Sequence, residues 1–218
     1  MPQLIELSHP IEEGMETYPG LPAPHICDYW SREESRSNYQ DGSEFQIGEI
    51  TMVANTGTYL DTPFHRFADG KDLSQIKLEQ LAALAAVRVK CQEQAIEAAV
   101  FALDKSTLKQ KAILLETGWS QYWRTEKYKR DHPFLSVEAA QYLVDAQVSL
   151  VGIDSLNIDD TRTATRPVHT LLLKSGIVIV EHMTNLHQLP DDEFRFYATP
   201  PKIVGMGTFP VRAFAQIE

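Results

Sequence analysis

Val148-Ser149-Leu150-Val151-Gly152-Ile153, then Val168-His169-Thr170-Leu171-Leu172-Leu173-Lys174, then Ser175-Gly176 and Ile177-Val178-Ile179-Val180: the reading of this run decides the fold class. Its first and last pieces are short, nearly unbroken apolar strings rich in β-branched residues. That is the pattern of strands buried on both faces. The stretch near Val168–Lys174 reads as a helix, and Ser175-Gly176 is stop chemistry. Strand, helix and strand in succession is the repeating unit of an α/β protein.

The same alternation extends outward. Ala112-Ile113-Leu114-Leu115 is another short buried strand, ending at Glu116-Thr117-Gly118-Trp119. Ser136 to Asp145 reads as a helix capped by Ser136, with Glu138 near its positive end. Leu4–Leu7, Phe45–Ala54 and Ala86–Cys91 alternate apolar and polar residues and read as strands. Phe194–Tyr197 and Lys202–Val204 read as late strands. Ser74 to Ala86 reads as a helix, with Leu78, Leu81 and Leu84 on one face and Ser74 as cap. Residues 31–44 are polar without period and read as a loop. Tyr18-Pro19-Gly20-Leu21-Pro22 is turn chemistry. Without repeat, low-complexity tract or linker, residues 1–218 are expected to form one mixed α/β domain.

The chain has 218 residues, 43% of them hydrophobic, enough for one sizeable core. A formal net charge of −10 argues against nucleic acid and anionic membrane surfaces, both of which call for clustered Lys and Arg. Cys27 and Cys91 are no disulfide framework and read as free thiols of a reducing compartment. The opening Met1-Pro2-Gln3-Leu4-Ile5-Glu6 has no basic n-region or apolar h-region, and no run is long enough to span a bilayer. A cytoplasmic protein is expected.

Chemistry concentrates in Asn55-Thr56-Gly57-Thr58-Tyr59-Leu60-Asp61-Thr62-Pro63-Phe64-His65. If Pro63 opens a helical turn, Asp61 and His65, four apart, share a face. The bland alternative is an Asp cap beside a solvated His. His169 opens a helix and Glu181 closes a strand; α/β sheets place ligands at strand carboxyl ends, although such a residue also simply meets solvent. Asp154, after Val151-Gly152-Ile153, has the same position, or forms a local Asx turn. Thr56-Gly57-Thr58 is an oxyanion cradle or only a turn. Trp30, Trp119, Trp123 and Tyr18 line a pocket or fill the core.

These residues resemble a known family, the cyclases, whose best-known members are bacterial kynurenine formamidases (arylformamidases) and which includes isatin hydrolase. The family motif His-x-Gly-Thr-His-x-Asp-x-Pro-x-His stands here as Asn55-x-Gly57-Thr58-Tyr59-x-Asp61-x-Pro63-x-His65. Leu7-Ser8-His9-Pro10, Gly14-Met15, Tyr18-Pro19-Gly20, Thr117-Gly118-Trp119, Gly152-Ile153-Asp154-Ser155, His169 with Glu181, Pro201-Lys202-Ile203 and Pro210-Val211-Arg212-Ala213 fit in order. The resemblance implies a swivelling β/β/α architecture, a mixed barrel-like sheet with peripheral helices, and a homodimer or homotetramer.

It also implies roles. In two-metal members the first two motif histidines and the aspartate hold one metal, the aspartate bridges to a second, and a later His and Glu complete the site. The last motif His moves the proton, and an N-terminal aromatic contacts substrate. Carried over, Asp61, His169 and Glu181 form a metal site, His65 keeps the proton-transfer position, and Tyr18 meets substrate. Asn55 and Tyr59 replace the first two imidazoles. An amide oxygen is a poor zinc ligand, and a phenol must lose a proton held to a pKa of about 10. One divalent metal, Zn or Mn foremost, is therefore expected, with Tyr59 beside His65 in catalysis and Asn55 in substrate contact.

The implied function is metal-dependent hydrolysis of a small amide or lactone, arylformamidase-like, and by resemblance a role in tryptophan catabolism. Two alternatives stand beside it. One is a binding protein that kept the pocket without catalysis; the other is a metal-free acid–base enzyme using His65 and Tyr59.

Overall fold

A computed structural model describes residues 2–101, 104–191 and 193–217. Its strands are β1 (Gln3–Glu6), β2 (His25–Trp30), β3 (Ile47–Thr51), β4 (Tyr59–Asp61), β5 (Leu84–Lys90), β6 (Ala95–Ile96), β7 (Ala112–Glu116), β8 (Phe134–Leu135), β9 (Leu150–Ile153), β10 (Val178–Glu181), β11 (Phe194–Tyr197), β12 (Thr208–Pro210) and β13 (Phe214–Ile217). Its α-helices are α1 (Arg32–Arg36), α2 (Lys105–Leu108), α3 (Val137–Asp145) and α4 (Pro167–Lys174).

One curled sheet of nine strands organises the chain, in the order β1-β13-β11-β5-β7-β9-β10-β4-β12. The central β5, β7, β9 and β10 run parallel, and antiparallel strands extend both flanks. The apolar runs quoted above are those central strands. Alternation sends Leu114, Leu150, Val178 and Val180 into one core and Ile113, Leu115, Val151, Ile153 and Ile179 into the other. Helices α3 and α4 cover the second face through Ala139, Ala140, Leu143, Val168, Leu172 and Leu173. Each of the leucines and the valine among them contributes about 1.5–3 kcal/mol when taken from water. Gly152 is required by packing: a Cβ there would stand 2.6 Å from Met183 Sδ and 2.7 Å from Leu114 Cδ2.

Three sequence expectations are corrected. Ser74–Ala86 is not a helix: a 3-10 turn spans Leu78–Gln80 and β5 starts at Leu84. Ala83 breaks any continuation with φ +53°, and Leu78 is 65% exposed while Leu81 and Leu84 are buried. The polar stretch 31–44 contains α1, whose start is a capping box between Ser31 and Glu34. The Ser31-x-x-Glu34 spacing carried that signal. Lys202–Val204 is not a strand, and Val204 is 81% exposed. Among the described residues no helix is long and apolar enough to cross a membrane.

Candidate active site

The register of β4 against β10 builds the site floor. Glu181 lies opposite Tyr59, and Ile179 opposite Asp61. All four therefore project from the α4 side of the sheet, where α4 brings down His169. Ligand atoms of Asp61, His169 and Glu181 lie within 4.8 Å of one another, all buried. His169 Nε2 is 3.6 Å from Asp61 Oδ2 and 3.6 Å from Glu181 Oε1.

The surroundings fix each ligand's state. His169 Nδ1 lies 2.6 Å from Asp159 Oδ2. A carboxylate accepts only, so Nδ1 carries a proton, and Nε2 is the nitrogen that faces the cluster, free to give up its own proton to a metal. Asp159 also caps α4, accepting the N–H groups of Val168 at 2.7 Å and His169 at 3.0 Å. This one residue sets both the helix start and the imidazole. Sequence reading missed it: no local motif links Asp159 to His169.

Asp61 Oδ1 accepts from the Thr208 hydroxyl, whose oxygen lies 2.7 Å from His65 Nδ1. The one hydroxyl proton goes to the carboxylate, so His65 Nδ1–H donates to Thr208, leaving His65 Nε2 as an acceptor. His65 ends a 3-10 turn opened by Pro63, as its spacing predicts, and its Nδ1 stands 3.7 Å from Asp61 Oδ1. Thr208 was not anticipated. Gly207 makes its approach possible, because a Cβ there would lie 2.2 Å from the His65 nitrogen.

Asp61 Oδ2 is buried with no hydrogen-bond partner. Burial alone would raise the Asp61 carboxyl, but His169, His65 and Thr208 more than offset it and hold it below its ordinary value. Burial drives Glu181 upward, opposed by His169 and assisted by Asp61. His169 is pushed up to about 10: burial opposes the charged ring, yet Glu181, Asp159 and Asp61 together prevail. A proton here holds the place of positive charge among three carboxylates. An orphaned carboxylate oxygen, a second carboxylate and an oriented imidazole fit a divalent metal.

The remaining half of the floor is closed. Tyr59 donates to Glu181 Oε2 at 2.8 Å, and Ile158 N–H donates to Glu181 Oε1 at 2.7 Å. Tyr59 has given its proton, so the 3.3 Å contact with His182 is an Nε2–H donation to the phenol oxygen. His182 Nδ1 then accepts from Tyr128 at 3.0 Å. Burial, then the negative charge of Glu181 and Asp61, pushes the Tyr59 phenol well above its ordinary value. It is a neutral donor, and it does not pair with His65 as the metal-free acid–base reading expected.

Tyr18, Asn55, Tyr59, Asp61, His65, His169 and Glu181 all line one cavity of ≈ 980 Å³. Of the candidate aromatics only Tyr18 does so. Trp119 donates to the Tyr128 carbonyl, Trp123 stacks on His9, and Trp30 lies on the β2–β3 ribbon. The oxyanion reading of residues 56–58 is not supported: Gly57 N–H donates to Thr17, and the Thr56 and Thr58 hydroxyls donate to the Val53 and His182 carbonyls. Asp154 is no Asx turn but a clamp, accepting from Thr117 and Gly118 on the neighbouring strand end.

Fold and site together define an α/β protein with a metal-capable cluster at the floor of an open pocket. Comparison with known proteins makes this specific. The Cyclase family model matches residues 5–160, and the chain belongs to that family. It is 30% identical over 213 residues to a kynurenine formamidase of Bacillus cytotoxicus, covering 97% of this chain and 96% of the relative. A Bacillus cereus kynurenine formamidase is 27% identical over 212 residues, covering 96% and 95%. A solved structure described as a potential metal-dependent hydrolase with cyclase activity superposes at TM-score 0.81 and 25% identity, covering 100% of this chain and 99% of that one. Isatin hydrolase A from Labrenzia aggregata shares the fold, at TM-score 0.82 and 18% identity, covering 99% and 94%.

Proposed function

We propose that this protein is a metal-dependent hydrolase of a small amide or lactone, of the aryl formamide or cyclic amide kind named for its relatives. The observation that carries the reading is Asp61 Oδ2, buried and unpartnered 3.6 Å from His169 Nε2. Buried polar atoms are nearly always paired, and an unpaired carboxylate oxygen beside a second carboxylate calls for a cation. Asp61, His169 and Glu181 would hold the ion, which when bound supplies an acidified water and polarises the substrate carbonyl.

The protein's own residues do the rest. His65 Nε2 accepts the proton released as the nucleophile adds, and returns it to the leaving nitrogen or oxygen as that bond breaks. Thr208 fixes the His65 tautomer. Asp159 aims His169, and Tyr59 holds Glu181 from behind, acting on the chemistry through that carboxylate. Tyr18 and Asn55 contact substrate from the cavity wall. Stripping metal with a chelator and then reloading it, against a panel of aryl formamides and lactones, tests the reading. Turnover should disappear and return with the ion. Turnover indifferent to metal would overturn it, and a silent panel with metal bound would favour a binding protein.

A further inference from the structure

The cavity does not end at its floor. On α4 it touches both His169 and Leu171. Two residues apart on a helix is a rotation of about 200°, nearly to the opposite side. The cavity therefore passes over the outward face of α4, by Arg166, Thr170 and Lys174, and reaches Val137 on α3. That path is about one helix wide, on the order of 10 Å. At ≈ 980 Å³ the cavity also stands near the upper end of the range for drug-sized ligands, more than a single ring fills.

At the far end Val137 and Pro167 border a second cavity as well, of ≈ 200 Å³, backed by Phe134, Leu135 and Val168. The polar groups around this second cavity are already engaged. Ser136 Oγ accepts the Ala139 N–H at 3.2 Å and caps α3. Asp159 holds the start of α4 and the His169 ring, and Asp160 pairs with Arg162. Along the path, Thr170 donates to the Arg166 carbonyl at 2.7 Å, and Arg166 donates to the carbonyls of Thr163 at 2.9 Å and Thr165 at 2.7 Å. What the second cavity offers a ligand is apolar surface, and Val137 on its rim is left 44% exposed.

We propose that the second cavity is a subsite for an apolar end of the substrate. The inference rests on the hydrolase reading and narrows its substrate class: an aryl amide or lactone that carries an extended alkyl arm. Its carbonyl would sit at the floor by Asp61, His169 and Glu181, its arm would cross α4, and its tip would lodge behind Val137. Each methylene taken from water there should raise kcat/KM, by up to about fourfold.

The test is a series of para-n-alkyl formanilides, from the unsubstituted compound to octyl, on metal-loaded protein. kcat/KM should climb at least about tenfold over the series, with the gain concentrated in the chains long enough to span α4. Val137→Asp puts a charge on the shared rim, and an acid at the start of α3 suits that end of a helix. Thr163→Trp plugs the second cavity from its exposed side. Both substitutions should flatten the climb. A flat series in the unmodified protein overturns the proposal, as does a climb that both variants keep. If no member is hydrolysed, the hydrolase reading has failed, and binding decides the subsite separately. Calorimetry should then show para-hexylbenzamide binding at least about tenfold more tightly than benzamide, with the advantage lost in both variants. Equal affinities, or an advantage untouched by the substitutions, overturn it.

Discussion

The two halves of the pocket floor stand on the same pair of strands, β4 and β10, and are finished in opposite ways. In one half Asp61, His169 and Glu181 converge, and a buried carboxylate oxygen is left without a partner. In the other, Tyr128, His182 and Tyr59 form an unbroken chain of hydrogen bonds ending on Glu181. Glu181 belongs to both, with Oε2 held by Tyr59 and Oε1 near His169. The lesson is that burial of polar groups alone does not mark a metal site. A satisfied network is closed structure, and an unsatisfied one retains capacity for a cation.

The largest effect should come from breaking the open half. His169→Ala is expected to abolish metal binding, measured as metal content after gel filtration; stoichiometric metal in that variant would refute the three-ligand cluster. Asp159→Asn should be milder. It leaves all three ligands but loosens the imidazole, lowering metal affinity about 10- to 100-fold in chelator competition. It should also cost one of the two N–H acceptors at the start of α4, about 0.5–1.5 kcal/mol in denaturant unfolding. Unchanged affinity would remove Asp159 from the account.

Breaking the closed half should leave metal stoichiometry intact. Tyr59→Phe strands an oxygen of Glu181 and the Nε2–H of His182, for a stability loss of about 1–3 kcal/mol. If it instead released the ion, Tyr59 would be a ligand and the division between halves would fail. The smallest effect near neutrality concerns pH. Burial pushes His182 down to about 3, with His9 and His132 adding to the shift. Its folded pKa lies below the unfolded value of 6.5, so between these limits the unfolded chain binds the extra proton. The stability from keeping His182 neutral is complete above 6.5 and is lost as pH falls toward 3. The advantage of wild type over His182→Gln in unfolding free energy should therefore shrink with acidification. A gap independent of pH would contradict this.

The sequence spoke clearly where one short segment carries its own reason. Leu150–Ile153 and Val178–Val180 are apolar because both sheet faces are covered, and that shows in any window. Ser136 caps α3 with its own hydroxyl. Ser74–Ala86 misled because leucines three apart satisfy a helical pattern, while the left-handed turn at Ala83 is not written in its side chain. In the site, Asp61, His65, His169 and Glu181 were legible by motif, and the cavity gathers them. The partners that give them protonation and aim were not. Thr208 reaches Asp61 and His65 from a distant strand, and Tyr128 meets His182 across the fold. Such contacts are products of sheet order, which no local spacing encodes.

The open half is expected to accept one cation and the closed half none. The most direct measurement is elemental analysis of protein purified without chelator or affinity nickel, followed by titration of the stripped protein with zinc, manganese and iron. The expected result is about one tightly held equivalent per chain, lost in His169→Ala. No binding of any ion, or a second tight equivalent that disappears in Tyr59→Phe, would contradict it.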